Sequence, residues 1–459
     1  MRVGTPTLRQ ICICSVSAVA LAATPLRAPA QQPDSRAHQP GGQAQQPDAP
    51  AQQPGARLVT LSEVVDLAVQ RSPATVSARA DVTFARASLL QARGAWLPSL
   101  TLNGIYGNSS NQRFDQTTGQ LVSQNYTTQV QGSYDLFTGG RRWMQHRAAG
   151  ASVAAAEADR VQERFATVLT ATQTFYEAAA ATDLLTVAHQ RVQRAHQQFE
   201  FARTRLDLGT ATASDELQAG IELANAELAE LEAESAQRAA ALALARVMGV
   251  EEEVRPAPGE LPDHAPPLPP LETLVRRAQQ SSPSVLAADA NRASARAQRL
   301  SAMTPYLPSV RLTGGYDWFS YQFPPGQQSW SLRIYASFPV FNGFQREATL
   351  ERAAASVAVA EARARDARIA ARSEVETARH AVELAERRVR ISDRTLALAK
   401  ENLRVQEERY QIGNATILEL EASQVALAEA EVAAVRARQA LGGSVAELEA
   451  VLGQKLAGE

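Results

Sequence analysis

Cysteine is nearly absent: among 459 residues only Cys12 and Cys14 occur. Both lie in the apolar N-terminal stretch, so beyond it disulfides, zinc–thiolate sites and thiol catalysis are excluded. Aromatic residues are scarce, at 5%, while alanine dominates a hydrophobic share of 45%. Alanine buries little area but lets helix axes approach closely, which favours long, repeated helix contacts over a compact enzyme core. After the N-terminus no run is long and apolar enough for a transmembrane helix, so any entry into a membrane must be made with strands. The formal net charge is -2 with acids and bases intermixed; without a basic stripe to neutralise phosphates, nucleic acid is excluded as a partner. The histidines, His38, His146, His189, His196, His264 and His380, include no pair four apart, and methionines number 4. Neither a helical metal site nor a soft-metal relay is expected. No phosphate loop or nucleophile elbow is present, so no catalytic residue, no cofactor and no enzymatic activity are expected.

What is present begins with Arg2 and Arg9, an apolar stretch from Ile11 to Ala23, and Ala28-Pro29-Ala30 before Gln31. This reads as a signal peptide over 1–30, cleaved before Gln31. Cys14 follows Ile13 rather than a small residue, so it is not read as a lipid-attachment site. Residues 31–57 are Gln, Pro, Ala and Gly with little else and read as a disordered arm. A Pro-rich linker, 250–270, separates two copies of one unit, 58–249 and 271–453, and a tail occupies 454–459.

The duplication organises the sequence. From Leu61 to Tyr106 the chain aligns on Leu271 to Tyr316 at an offset of about 210, pairing Pro73 with Pro283 and Leu97-Pro98 with Leu307-Pro308. Beyond, the offset is about 204, pairing Phe137-Thr138-Gly139 with Phe341-Asn342-Gly343 and Gly209 with Gly413. The length change falls between Tyr106 and Phe137, as a loop about six residues longer in the first copy. Each copy reads as helix, strand, loop, strand, very long helix, tight turn, helix. The helices expected after the strands are 141–208 and 215–249, then 345–412 and 417–453; a helix of the first size is about 100 Å long. A 3-4 spacing runs through Ala171, Thr174, Ala178, Ala181, Leu185, Ala188, Val192, Ala195, Phe199, Ala202 and Leu206, and again through Val375, Ala378, Val382, Ala385, Val389, Ser392, Leu396, Ala399, Leu403, Gln406 and Tyr410. Sustained over about five heptads, it is a coiled-coil seam.

Four segments alternate with period two, at about 99–108, 125–137, 309–318 and 329–341. One face carries Leu100, Leu102, Tyr106, Leu312, Tyr316, Trp330 and Leu332; the other is wet, and Arg311 and Arg333 on it are candidate lumen residues. Such alternation over about ten residues suits a tilted membrane strand. Four strands cannot close a barrel, and open edges are not tolerated in lipid. Three chains, giving twelve strands, are the smallest set that leaves a lumen, so a homotrimer is expected.

The long helices end in Leu206-Asp207-Leu208-Gly209-Thr210-Ala211-Thr212-Ala213-Ser214-Asp215 and Tyr410-Gln411-Ile412-Gly413-Asn414-Ala415-Thr416-Ile417-Leu418-Glu419. Each glycine can turn left-handed and stop a helix, and Thr212 with Asp215, and Thr416 with Glu419, have capping-box spacing. The Y/L-x-x-G-x-x-T-x-x-D/E tips, the duplication, the paired strands and the N-terminal signal together resemble the TolC-like outer membrane efflux protein family over nearly all of residues 58–453. The resemblance implies a mainly α protein with membrane β: a tandem-repeat protomer of a trimeric channel, with a shared 12-stranded β-barrel in the outer membrane lipid and a long coiled α-helical periplasmic barrel. It also implies passive exit of substrates, docking on a periplasmic adaptor protein and feeding by an inner-membrane pump. Leu208, Gly209, Thr210, Ile412, Gly413 and Asn414 match docking tips, Tyr410 matches a closed-state aromatic, and Glu419 matches an aperture carboxylate. Ala415 and Ala422 stand where members of the family can have a gate arginine and a second carboxylate. Efflux and type I protein secretion share this architecture. The rival of another class is a periplasmic structural or adaptor coiled coil, which accounts for the heptads but not for four alternating strands.

Overall fold

The computed structural model describes residues 57–115 and 119–456. The expected signal peptide, nearly all of the N-terminal arm and the end of the C-terminal tail lie outside the described residues. In order, the elements are β1 (Arg57–Val59), α1 (Leu61–Arg71), α2 (Pro73–Gly94), β2 (Ser99–Asp115), β3 (Gln120–Phe137), α3 (Arg141–Asp207), α4 (Ala213–Met248) and β4 (Val254–Pro256). The second copy follows with α5 (Leu271–Ser281), α6 (Pro283–Ala302), β5 (Ser309–Ser320), β6 (Gln327–Ser337), α7 (Gln345–Gln411) and α8 (Ile417–Leu452). No helix among the described residues is long and apolar enough to cross a membrane.

α3 and α7 are both 67 residues long, and α4 and α8 both 36. α3 runs unbroken through Gly150. The seam positions Ala171, Ala178, Ala188, Ala195 and Ala202 of α3, and Val375, Val382, Val389 and Leu403 of α7, are buried. Where one helix was expected before the strands of each copy, two occur. Pro73 and Pro283 can open a helix, but each pushes its preceding serine to extended backbone, with ψ of 131° at Ser72 and 133° at Ser282. The Arg71 guanidinium at the end of α1 donates to the Gly249 carbonyl at 3.3 Å, which ties the joint between α1 and α2 to the end of α4. α1 packs across this joint on a core of Val64, Ala68, Phe175, Leu244 and Met248. β1 pairs in parallel with β4 beside it, so residue 57 and part of the expected linker form a two-stranded sheet.

The other sheet is antiparallel in the order β2-β3-β5-β6. Its register aligns whole rows of one character. Leu102, Val130, Tyr316 and Trp330 cross the sheet on one face; Asn103, Gln129, Asp317 and Ser329 cross it on the other. The apolar face is bare, with Leu102 at 71% and Trp330 at 75% exposure. The extra length of the first copy lies in strand rather than loop. β2 and β3 have 17 and 18 residues against 12 and 11 in β5 and β6, so this hairpin projects past its neighbour. β6 ends at Ser337, short of the expected 341, because Pro339 has no N–H for a ladder.

Candidate functional site at the paired hairpin tips

Helices α3 and α7 both stop on a left-handed glycine, with φ of 73° at Gly209 and 80° at Gly413. The Thr210 N–H closes back on the Arg205 carbonyl and the Asn414 N–H on the Arg409 carbonyl, each at 2.8 Å. A Cβ at either glycine would meet nothing within 4 Å, so backbone conformation, not space, requires glycine there. Arg205 and Arg409 complete the turns by donating to the Thr210 and Asn414 carbonyls at 3.3 and 3.1 Å. Sequence reasoning missed this pair, although both arginines stand four residues before the turn glycine. A cation there also suits the negative end of the helix.

The return helices start with complete capping boxes. Thr212 N–H donates to Asp215 at 2.9 Å and Asp215 N–H to the Thr212 hydroxyl at 3.3 Å. Thr416 N–H donates to Glu419 at 2.8 Å and Glu419 N–H to the Thr416 hydroxyl at 3.3 Å. Glu419 remains exposed on the first turn of α8. Leu208 and Ile412 stand out at the turns, 73% and 71% exposed.

Tyr410 is placed differently from Glu419. It is buried between the two hairpins of one chain, in a cluster with Ala202, Ala219, Leu403 and Leu420. Its ring lies 6.0 Å from that of Phe201 and 5.1 Å from the Arg205 guanidinium, which also donates to its carbonyl at 3.3 Å. Burial pushes the Tyr410 hydroxyl up in pKa, and Arg205 opposes the shift. The structure therefore does not bring Tyr410 and Glu419 to one surface of the protomer.

Polar pairs join the hairpins above the tips. Arg194 of α3 meets Glu431 of α8 at 2.9 Å, and Gln218 of α4 donates to Glu421 of α8 at 3.0 Å. Arg191 holds Glu222 at 2.8 Å beside them. Glu421 is buried, and its Oε1 has no hydrogen-bond partner. Desolvation, aided by Glu222 and opposed by Gln218, pushes its carboxyl up in pKa.

At the other end of the long helices, Arg311 donates to Asp135 at 2.6 Å across neighbouring strands, and Arg141 approaches the second oxygen at 3.5 Å. Arg333 stands opposite Thr313 on the same wet face. Sequence reasoning also missed a symmetric pair at the strand-to-helix turns. Buried Arg142 lies 5.4 Å from the Trp96 ring and 5.2 Å from the Tyr134 ring. Arg346 lies 4.9 Å from the Tyr306 ring and donates to the Pro339 carbonyl at 2.7 Å.

Comparison with known proteins gives a consistent result. The family described as outer membrane efflux protein matches residues 64–250 and 274–454, one segment per copy. Protein CyaE of Bordetella pertussis is 32% identical over 321 residues, covering 68% of this chain and 66% of that relative, just under two thirds of its length. Among solved structures, the outer membrane protein VceC of Vibrio cholerae superposes with a TM-score of 0.71 at 20% identity, covering 86% of this chain and 97% of that one. A membrane protein of Pseudomonas aeruginosa gives 0.74 at 21%, covering 90% and 97%. The MtrE outer membrane channel of Neisseria gonorrhoeae, in its open state, gives 0.71 at 21%, covering 86% and 89%.

Proposed function

The chain belongs to the outer membrane efflux protein family, and from that premise we propose that three copies close one barrel in the outer membrane above one helical tube in the periplasm. The protomer is an outer-membrane channel subunit that gives substrates a passive way out and does no chemistry on them. One observation carries this reading: among the described residues, a four-stranded sheet has an apolar face on which Leu102, Tyr106, Trp330 and Leu332 are exposed, and it has β2 and β6 as its two edges. In water that face is a liability; in lipid it is the required exterior, provided that every edge finds a partner. Three sheets joined β6 to β2 meet both conditions.

The tips are the periplasmic entrance. The exposed ends Leu208-Gly209-Thr210 and Ile412-Gly413-Asn414 dock a periplasmic adaptor fed by an inner-membrane pump. Threefold symmetry gathers three copies of Glu419 near the axis, where like carboxylates raise the local cation concentration. Tyr410 acts within the wall, locking one hairpin to the other. Single-channel recording in planar bilayers tests the reading. The unaltered protein should give discrete, cation-preferring steps, and Glu419→Gln should lower the preference while keeping the steps. An absence of steps would sink the channel; unchanged selectivity would leave Glu419 as a helix cap alone.

A further inference from the structure

The duplication sets side chains at equivalent places side by side for comparison. Arg142 in the first turn of α3 and Arg346 in the first turn of α7 are such a pair, lying over the equivalent rings Trp96 and Tyr306 at the foot of the sheet. Arg346 has oxygen partners: the Pro339 and Val340 carbonyls at 2.7 and 3.3 Å, and Glu347 at 3.7 Å. Arg142 has none among the described residues. It is 5% exposed and lies between the rings of Trp96 and Tyr134, while the carboxylate of Asp135 is taken by Arg311 and Arg141. Two rings hold a cation but offer no lone pair to its five N–H donors. A buried guanidinium left without an acceptor is costly. Its edge is also open: Arg346 Nε is sealed in and unsatisfied, whereas no nitrogen of Arg142 is. The missing acceptor therefore comes from outside the chain.

The surroundings select an anion. α3 opens with no acidic residue in its first turn, where α7 has Glu347, so the positive end of its dipole is uncompensated. Beside Arg142, Trp143 and Arg147 stand where the second copy has Glu347 and Glu351. Trp143 is 51% exposed, with the Arg147 guanidinium 5.5 Å from its ring; Arg147 forms no ion pair among the described residues. One foot is thus cationic and aromatic, the other acidic.

Tyr134 fixes the height. It lies in the row Tyr134, Leu312, Ile334 of the apolar face, about 27 Å along β3 from Tyr126, close to the height of an outer-membrane apolar band. β3 ends at Phe137 and α3 starts at Arg141, so Arg142 stands at the inner edge of that band, where headgroups begin. Half-exposed Trp96 suits the same level.

We propose that Arg142 binds the phosphate of a phospholipid in the periplasmic leaflet, with Trp143 and Arg147 flanking the headgroup, at one site per chain; this rests on the membrane reading of the sheet above. The guanidinium fork matches two phosphate oxygens, and the start of α3 adds its dipole. The acyl chains lie along the apolar face, a contact that a free phosphate does not make. The lipid completes the strand-to-helix joint of the first copy, as backbone carbonyls complete that of the second.

Native mass spectrometry of the full chain, extracted in detergent and titrated with dioleoylphosphatidylglycerol, tests the site. Saturation at one lipid per chain is expected. Arg142→Gln should cut retention about fivefold, the surface variant Arg147→Gln about twofold, and Arg346→Gln not at all. Arg142→Lys keeps the charge without the fork and serves if the glutamine variant does not fold, with a cut of about threefold expected. Unchanged retention in the Arg142 variant that folds would overturn the site. So would equal retention of dioleoylglycerol, which has the same chains and no phosphate, or displacement by equimolar inorganic phosphate, the mark of a free-anion site. Loss of the trimer in Glu347→Gln to the same degree as in Arg142→Gln would overturn it too, by making the next copy's carboxylate the acceptor. A soluble monomer from the unaltered chain would overturn the membrane reading; a trimer whose lipid is indifferent to Arg142 overturns this site alone.

Discussion

Glu421 shows how single residues tune the tips. It is wedged between hairpins of both repeats with one oxygen unsatisfied. Gln218 and Glu222 face it from α4, while the nearby arginines Arg191 and Arg194 are held by Glu222 and Glu431. Its folded pKa is raised by desolvation, so the cost of its charge is absent below the unfolded pKa and appears as pH rises through the folded one. Hairpin packing should therefore be firmer in mild acid than at neutral pH. Glu421→Gln keeps an acceptor for Gln218 and removes the charge; heat unfolding at pH 5 and pH 8 should show less pH dependence and a midpoint about 1–3 °C higher at pH 8. An unchanged gap between the two pH values would contradict this account of Glu421. The caps act by the opposite route, by removing a good contact. Thr212→Ala and Thr416→Ala should each cost about 1 kcal/mol in denaturant unfolding, with hydrogen exchange rising first at the tips.

Turns and junctions decide what the elements can do. Gly413→Val faces open space but must hold φ near 80°, so it should disturb the α7–α8 turn and weaken adaptor binding, with the helix content by circular dichroism unchanged. Arg142→Ala should loosen the joint between β3 and α3 by removing the cation that stacks between Trp96 and Tyr134; a loss of about 2 kcal/mol and earlier proteolysis near Gly139 and Gly140 are expected. The long helices were legible because their signals are local and repeated: a heptad seam, a stopping glycine and a cap at matching places in both copies. Other features depend on partners distant in sequence. β1 and β4 are three residues each and pair across almost a whole repeat, and their pattern alone is too short to read. The break at Ser72 follows from Pro73, yet proline at a helix start also permits continuation of the periodic pattern. The first hairpin's extra length looked like loop because Asn108, Ser109, Ser110 and Asn111 are turn-forming residues, yet the strand runs on through them: Asn108 pairs with Gln124 and, after a register shift, Arg113 pairs with Val122. Tyr410 carries a seam position in the sequence, and burial against Phe201 is the seam's consequence.

On the scale of the whole molecule, one chain is an incomplete object. Its sheet has two edges, and its helices α4 and α7 leave Leu228, Leu231, Ile391 and Leu398 exposed. Lipid outside and neighbouring copies at both sheet edges resolve this at once, which is why the alternative of a periplasmic structural or adaptor coiled coil fails: it has no use for the apolar row of Leu102, Val130, Tyr316 and Trp330. The duplication supplies the near-equivalence of the two hairpins, while the longer β2–β3 hairpin keeps the copies distinguishable. The central claim, that this open sheet closes only with two further copies in a membrane, is tested most directly by the protein mass of the detergent-extracted particle in light scattering. Three chains per particle and loss of solubility when detergent is removed are expected; a monodisperse monomer, stable in detergent-free buffer, would contradict the claim.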